Sequence, residues 1–314
     1  MNYKLFFKFK LNPPESKKDD DTGPSLDLNF NSNGLLYICD TYHSFQIFTE
    51  SGQLISKQNL NSHFKCHISG FCFNNNALYI ANRSEKCIQK CDINFNLKSK
   101  FHCSFFYDLK DYDDFLEDYT PFPLCVGPDH AIYIADPHKT YIRILDKNNN
   151  LKSKIKIPDE NQRLRFFSGM MSLCFGPNDY LYVSIYALNC IQVFDKDGNL
   201  KFTFGSKGLA PGEFNRPGKI CFGPNELLYV NDTWNHRIQI FDQHGNYQSK
   251  IELKNFIKEN DISFTVNPNG LIYLYRTRYN KITVLQNTSS QSLYQILATR
   301  LFKTKNKHKK IRFY

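Results

Sequence analysis

An apolar signature centred on tyrosine recurs six times along the chain, and no other feature constrains the fold as tightly. The copies are Leu35-Leu36-Tyr37-Ile38, Ala77-Leu78-Tyr79-Ile80, Ala131-Ile132-Tyr133-Ile134, Tyr180-Leu181-Tyr182-Val183, Leu227-Leu228-Tyr229-Val230 and Leu271-Ile272-Tyr273-Leu274. Their tyrosines stand 42, 54, 49, 47 and 44 residues apart. Turn formers precede the copies, as in Ser32-Asn33-Gly34, Pro177-Asn178-Asp179 and Pro268-Asn269-Gly270. Another short apolar run follows each copy, as at 191–194 and 238–241. A unit of this length holding several strands reads as one blade of a β-propeller.

Residues 205–250 show the unit in full. Pro211-Gly212 and Pro217-Gly218 punctuate a loop, residues 219–222 are a short, mainly apolar run, and Gly223-Pro224-Asn225 turns the chain into 227–230. After a polar break at 233–236, Arg237-Ile238-Gln239-Ile240-Phe241 alternates as a half-buried strand does, and His244-Gly245-Asn246 is a hairpin turn. One such meander cannot bury both its faces, so it needs its copies.

The segment Gly212-Glu213-Phe214-Asn215-Arg216-Pro217-Gly218-Lys219-Ile220, with Leu228-Tyr229-Val230-Asn231-Asp232 and Asn235-His236-Arg237-Ile238-Gln239-Ile240-Phe241-Asp242, resembles the NHL repeat. The fourth copy keeps Tyr182-Val183 and residues 190–198, the first keeps Tyr37-Ile38-Cys39-Asp40, and the third keeps Tyr133-Ile134-Ala135-Asp136. The second and sixth are degenerate. The resemblance spans residues 24–286 and implies an all-β fold, a six-bladed β-propeller of four-stranded blades. Blade cores are expected at about 24–60, 67–100, 121–157, 168–204, 214–253 and 261–286. The last copy offers three strands only. The alternating stretch 3–11 is expected to add its outer strand and close the ring, which removes two open sheet edges. Residues 293–302 read equally as a short helix or as another closing strand.

Ten cysteines do not read as a disulfide framework here. Cys72, Cys125, Cys174 and Cys221 hold the same place in successive units, and such positions are expected to radiate apart as small buried apolar groups. The first ten residues lack the apolar core of a secretory leader, and no apolar run approaches the ~20 residues of a membrane helix. A reducing, cytoplasmic compartment is the expectation. The net charge of +10 comes from one end. Residues 1–261 carry thirty basic and thirty acidic residues, whereas 262–314 carry ten basic residues and no acid. The tail at 287–314 holds Arg300, Lys303, Lys305, Lys307, Lys309, Lys310 and Arg312. An insertion at 102–123 bears Asp108, Asp111, Asp113, Asp114, Glu117 and Asp118.

In a propeller, the loops between second and third strands share a face with the blade-to-blade connections. Here those loops hold Tyr42 and His43, Arg83 and Lys86, His138, Lys139 and Tyr141, Tyr186, Trp234 and His236, and Arg276, Arg278 and Tyr279. Cations suit phosphates and aromatic faces suit unstacked bases. The expected function is a non-catalytic binding or scaffold module, recognising a protein or acidic partner, single-stranded RNA included, through this face and the tail. The plain alternative is a polar rim of turn formers. An enzymatic alternative, a metal-dependent lyase or lactonase-type hydrolase, uses His43, His138 and His236, which occupy matching loops of alternate units. The resemblance speaks against it. The NHL-like amidating lyase sets its zinc histidines at the start of first strands, where this chain reads Pro217-Gly218-Lys219-Ile220 and Gly169-Met170-Met171-Ser172. Of lactonase-type channel ligands, only Asp27, Asn260 and Asp261 are in plausible places. No metal, cofactor or catalytic residue is assigned.

Overall fold

The computed structural model describes residues 3–11, 27–39, 44–59, 68–74, 76–82, 85–102, 123–136, 140–146, 148, 150–159, 170–256, 262–276 and 281–288. They form six four-stranded antiparallel sheets, the blades of a propeller. Blade 1 runs Asp27–Phe30, Leu36–Cys39, Ser44–Phe48 and Leu54–Asn59 from the inside outward. Blade 2 is Ile68–Asn74, Ala77–Asn82, Cys87–Asp92 and Leu97–His102. Blade 3 is Leu124–Val126, Ile132–Asp136, Tyr141–Leu145 and Leu151–Lys156. Blade 4 is Met170–Phe175, Leu181–Ile185, Cys190–Phe194 and Leu200–Phe204. Blade 5 is Pro217–Phe222, Leu228–Asp232, Arg237–Phe241 and Tyr247–Glu252. Blade 6 takes Ile262–Val266, Ile272–Arg276 and Lys281–Asn287 from one end of the chain and Tyr3–Lys10 from the other.

The repeated signature is the second strand of each blade, and its tyrosine is buried in all six. The ring of that tyrosine meets, edge-on, an aromatic residue on the first strand of the next blade. Tyr37 meets Phe73 at 4.8 Å, Tyr133 meets Phe175 at 4.9 Å, Tyr182 meets Phe222 at 4.9 Å and Tyr273 meets Phe30 at 5.0 Å. Edge-to-face geometry matches the ring quadrupoles and adds about 0.5–1.5 kcal/mol per pair beyond burial. Tyr79 and Tyr229 share their clusters with Val126 and Val266 instead. The hydroxyl also crosses the blade boundary: Tyr182 Oη donates to the Gln243 carbonyl at 2.7 Å, and Tyr273 Oη to the Glu50 carbonyl at 2.8 Å. Burial pushes the Tyr182 phenol up to about 12, so it stays a donor at neutral pH.

Turns between third and outer strands repeat as well. Asp92, Asp146, Asp195 and Asp242 each accept the backbone N–H groups two and four residues on, at 2.8–3.0 Å. Short polar side chains favour such turns because they substitute for a backbone acceptor. The outer strands carry Lys57, Lys98, Lys100, Lys152, Lys154, Lys156, Lys201 and Lys250, and Tyr3–Lys10 adds Lys4, Lys8 and Lys10. Charge on an open edge discourages pairing with another sheet. Tyr3–Lys10 pairs with Lys281–Asn287 from Tyr3↔Asn287 to Lys10↔Lys281, with a bulge between Leu5 and Phe7. Beyond the bulge, the Phe9 ring packs at 5.1 Å on Phe48 of blade 1, while Leu5 and Phe6 stay exposed. The other closing candidate, 293–302, lies outside the described residues, as do the acidic insertion at 103–122 and the basic tail from 289. Among the described residues no helix is long and apolar enough to cross a membrane.

Removing the Tyr182 hydroxyl (Tyr182→Phe) leaves the Gln243 carbonyl without its donor, at an expected cost of about 1 kcal/mol. Removing the ring (Tyr182→Ala) is expected to cost about 3–5 kcal/mol. Urea unfolding measures both, and equal costs would show that ring packing does not join blades 4 and 5.

Candidate functional site

First strands line the central channel, a cavity of about 680 Å³. Alternate residues of each first strand point into it. One tier stands opposite the signature tyrosines: Asn29 across from Tyr37, Cys72 from Tyr79, Cys125 from Tyr133, Cys174 from Tyr182 and Cys221 from Tyr229. All five line the channel. The expectation that these cysteines radiate apart is therefore wrong. Closing the repeats into a ring turns equivalent first-strand positions toward a common axis. None of the four forms a disulfide. Cys125, Cys174 and Cys221 keep some surface open to the channel, yet burial pushes all four thiols well up, Cys221 to about 12. They are protonated at neutral pH. Among the described residues no three His, Cys, Asp or Glu side chains gather as a metal centre.

Two residues along the first strand lies the second tier, which includes Asp27, Ser172, Lys219 and Ser263. Lys219 of blade 5 reaches Asp27 of blade 1, Nζ to Oδ1 2.5 Å, although 192 positions separate them in sequence. Burial alone pulls the ammonium toward losing its proton, but the Asp27 carboxylate more than offsets this and raises the lysine above its ordinary value. Lys219 therefore keeps its charge, with the Asp27 carboxylate set against it. Asp27, anticipated as a channel ligand, is spent on a lysine.

Where the channel opens beside blades 4 and 5, Tyr186, Thr233 and Trp234 join its lining. Trp234 sits in a single 3₁₀ turn, Thr233–Asn235, and is 48% exposed. The Arg216 guanidinium lies 4.0 Å from the Trp234 ring centre and 5.1 Å from that of Tyr186, and its Nη1 donates to Tyr186 Oη at 2.9 Å. Arg216 holds a left-handed backbone, φ 59°, which is uncommon for a side chain of this size. Its N–H is tied to Asn189 Oδ1 at 2.8 Å, and Trp234 N–H to the Asn215 carbonyl at 3.1 Å.

A buried network fixes this arrangement. Asp232 and Arg237, a register pair at the end of the second and start of the third strand of blade 5, are 0% and 4% exposed and meet at 2.7 Å. Asp232 also accepts from the Asn215 N–H at 2.7 Å, from Asn235 Nδ2 and from Gln239 Nε2. Arg237 donates onward to the carbonyls of Leu209, Ala210 and Glu213, and Gln239 Nε2 to that of Glu213 as well. The loop over blade 5 is thus hung from three polar side chains. Blade 4 places Ile185 opposite Cys190 at the same register, with no charge.

Of the residues picked out from sequence, Trp234 lies at the channel mouth. His236 does not: it ends the 3₁₀ turn in a left-handed conformation, φ 51°, and its carbonyl accepts from the Leu253 N–H. Lys86 takes the same backbone conformation in the corresponding turn of blade 2, and Tyr141 begins the third strand of blade 3. Tyr42, His43, Arg83, His138, Lys139, Arg278 and Tyr279 lie outside the described residues, as do Arg300, Lys303, Lys305, Lys307, Lys309, Lys310 and Arg312; the backbone of Arg276 ends a second strand. Tyr186, in the matching loop of blade 4, lies at the channel mouth with Trp234; Arg216 and Lys219 were not singled out from sequence. Pro217 forecasts an extended residue before it, which hides Arg216.

The NHL repeat model matches residues 214–241, the stretch that carries the Asp232–Arg237 network. No curated protein matches the chain. Among solved structures, virginiamycin B lyase from Staphylococcus aureus superposes with a TM-score of 0.58 at 12% identity, over 91% of this chain and 100% of that one. A streptogramin B lyase structure gives 0.60 at 12% identity, over 90% of this chain and 97% of that one. The WD40 propeller domain of Doa1 gives 0.59 at 10% identity, over 84% and 79%. At these identities the likeness is one of fold.

Arg237→Ala strands the buried Asp232 carboxylate and is expected to cost about 3–5 kcal/mol in denaturant unfolding. The pair Asp232→Ile with Arg237→Cys, copied from blade 4, is expected to recover most of that loss while speeding amide exchange across 208–216; unchanged exchange would show that the network does not hold the loop. For the channel thiols, alkylation of the native protein by iodoacetamide is expected to rise about tenfold per pH unit from 7 to 10, without the plateau near 8.5 of an ordinary cysteine. A plateau there would mean thiols of ordinary acidity.

Proposed function

We propose that this six-bladed propeller, whose residues 214–241 match the NHL repeat, is a non-catalytic binding module whose working face is the channel mouth around Trp234. One observation carries the reading. The exposed Trp234 ring packs on the Arg216 guanidinium, which Tyr186 holds by a hydrogen bond, on a loop that is itself anchored on buried charges. A large exposed aromatic beside arginine is the composition of binding hot spots, and rigidity lowers the entropy cost of using it. The channel below supports the same reading. Its lysine and aspartate are paired, and its thiols are protonated. The partner is a protein, and the acid-free segment 262–314 supplies a second, less specific contact for an acidic surface.

Partners captured from the native source by the full chain, then reconstituted from pure components, test the face. Trp234→Ala is expected to weaken binding at least tenfold, as loss of a hot-spot residue does. Leu151→Ser, on the exposed outer edge of blade 3, is expected to leave it unchanged. Loss with Leu151→Ser and retention with Trp234→Ala would place the working surface on the outer rim instead.

A further inference from the structure

The shape of the Arg216 side chain narrows the partner further. A guanidinium has five N–H donors. Nη1 of Arg216 is engaged by Tyr186. Its Nε and Nη2 meet no acceptor among the described residues, and neither atom is sealed from solvent. That leaves one edge of the plane open, with two parallel donors, while the rings of Tyr186 and Trp234 fix the direction in which it points. An open guanidinium edge is the complement of a carboxylate, whose two oxygens it meets side by side. We propose that Arg216 and Trp234 form a carboxylate-recognition site, and that its occupant is an acidic segment of a partner protein, held through an aspartate or glutamate side chain with its apolar neighbours on Trp234. This rests on the channel mouth being the working face.

Charge decides between an acidic peptide and a nucleic acid. A phosphate backbone is held by rows of cations, each neutralising one phosphate. Among the described residues lining the channel and its mouth, the cation besides Arg216 is Lys219, already paired with Asp27. One fixed fork is too little for a polyphosphate and enough for one carboxylate. The acid-free segment 262–314, with its ten cations, adds attraction for an acidic protein without setting register.

Trp234 is the only tryptophan in the chain, so its emission reports on this site alone. The full chain is titrated with the blocked peptide acetyl-Ala-Ala-Glu-Ala-Ala-amide, its glutamine counterpart, the glutamine peptide with a free C-terminal carboxylate, and a uridylate pentamer. The glutamate peptide is expected to shift the emission and bind about tenfold more tightly than the glutamine peptide, the difference one charge-assisted hydrogen-bonded pair makes. Arg216→Gln is expected to abolish that preference and Arg216→Lys to restore only part of it, with melting curves confirming that both variants fold. Equal binding of the glutamate and glutamine peptides would overturn carboxylate recognition while leaving the mouth as a binding face. Tighter binding of the free terminus would overturn the side-chain assignment, and tighter binding of the uridylate would overturn the protein partner. Silence toward every probe overturns the site; if Trp234→Ala also leaves partner capture intact, the working face falls with it.

Discussion

The contact that turns six sheets into one body is the tyrosine that reaches from the second strand of each blade to the first strand of the next. Backbone hydrogen bonds stop at the edges of each sheet. Between sheets only side chains hold, and the recurring interaction is an aromatic edge on an aromatic face, with a phenol reaching the turn of the next blade. The same contact joins blade 6 to blade 1, through Tyr273 and Phe30. Because it fixes the angle between blades, it also fixes what the first strands present to the axis. The thiol tier and the Lys219–Asp27 pair follow from that angle.

Blade 5 adds a second constraint. On the channel-mouth side, a buried aspartate, arginine and glutamine suspend a long loop from its own backbone carbonyls. Buried charges of this kind contribute little net stability when compared with an apolar pair, and blade 4 manages with isoleucine and cysteine. Their value lies in geometry. With the loop held, Arg216 can keep a left-handed backbone and set its guanidinium beside Trp234. The geometry of the loop is thus set by residues that lie beneath the side chains it presents.

The repeat was legible because its physics is local. Alternating strands, tyrosines at one register and Asp or Asn two and four residues before turn amides leave a signal in any single copy. Trp234 could be placed for the same reason. Arg216 could not, since Pro217 forecasts an extended neighbour and nothing local announces φ 59°. Nor could the Lys219–Asp27 pair, which exists only because the ring brings blade 5 within reach of blade 1. The cysteines show the reverse error: their equivalence was read along a line, whereas on a circle equivalent positions converge.

Blade 6 carries a consequence for the order in which the molecule assembles. Its outer strand, Tyr3–Lys10, precedes the other five blades in sequence, and the strand that receives it, Lys281–Asn287, follows them. As the chain emerges, the lysine- and phenylalanine-rich segment Tyr3–Lys10 must wait, unpaired, while five blades form in turn. Such long-range pairing carries the largest loop-closure entropy in the chain and belongs to the slow steps of folding. Phe7 and Phe9 are then exposed apolar groups on a tethered strand. The lysines between them keep that waiting segment soluble, so their charge serves the nascent chain before it guards the edge of the finished blade.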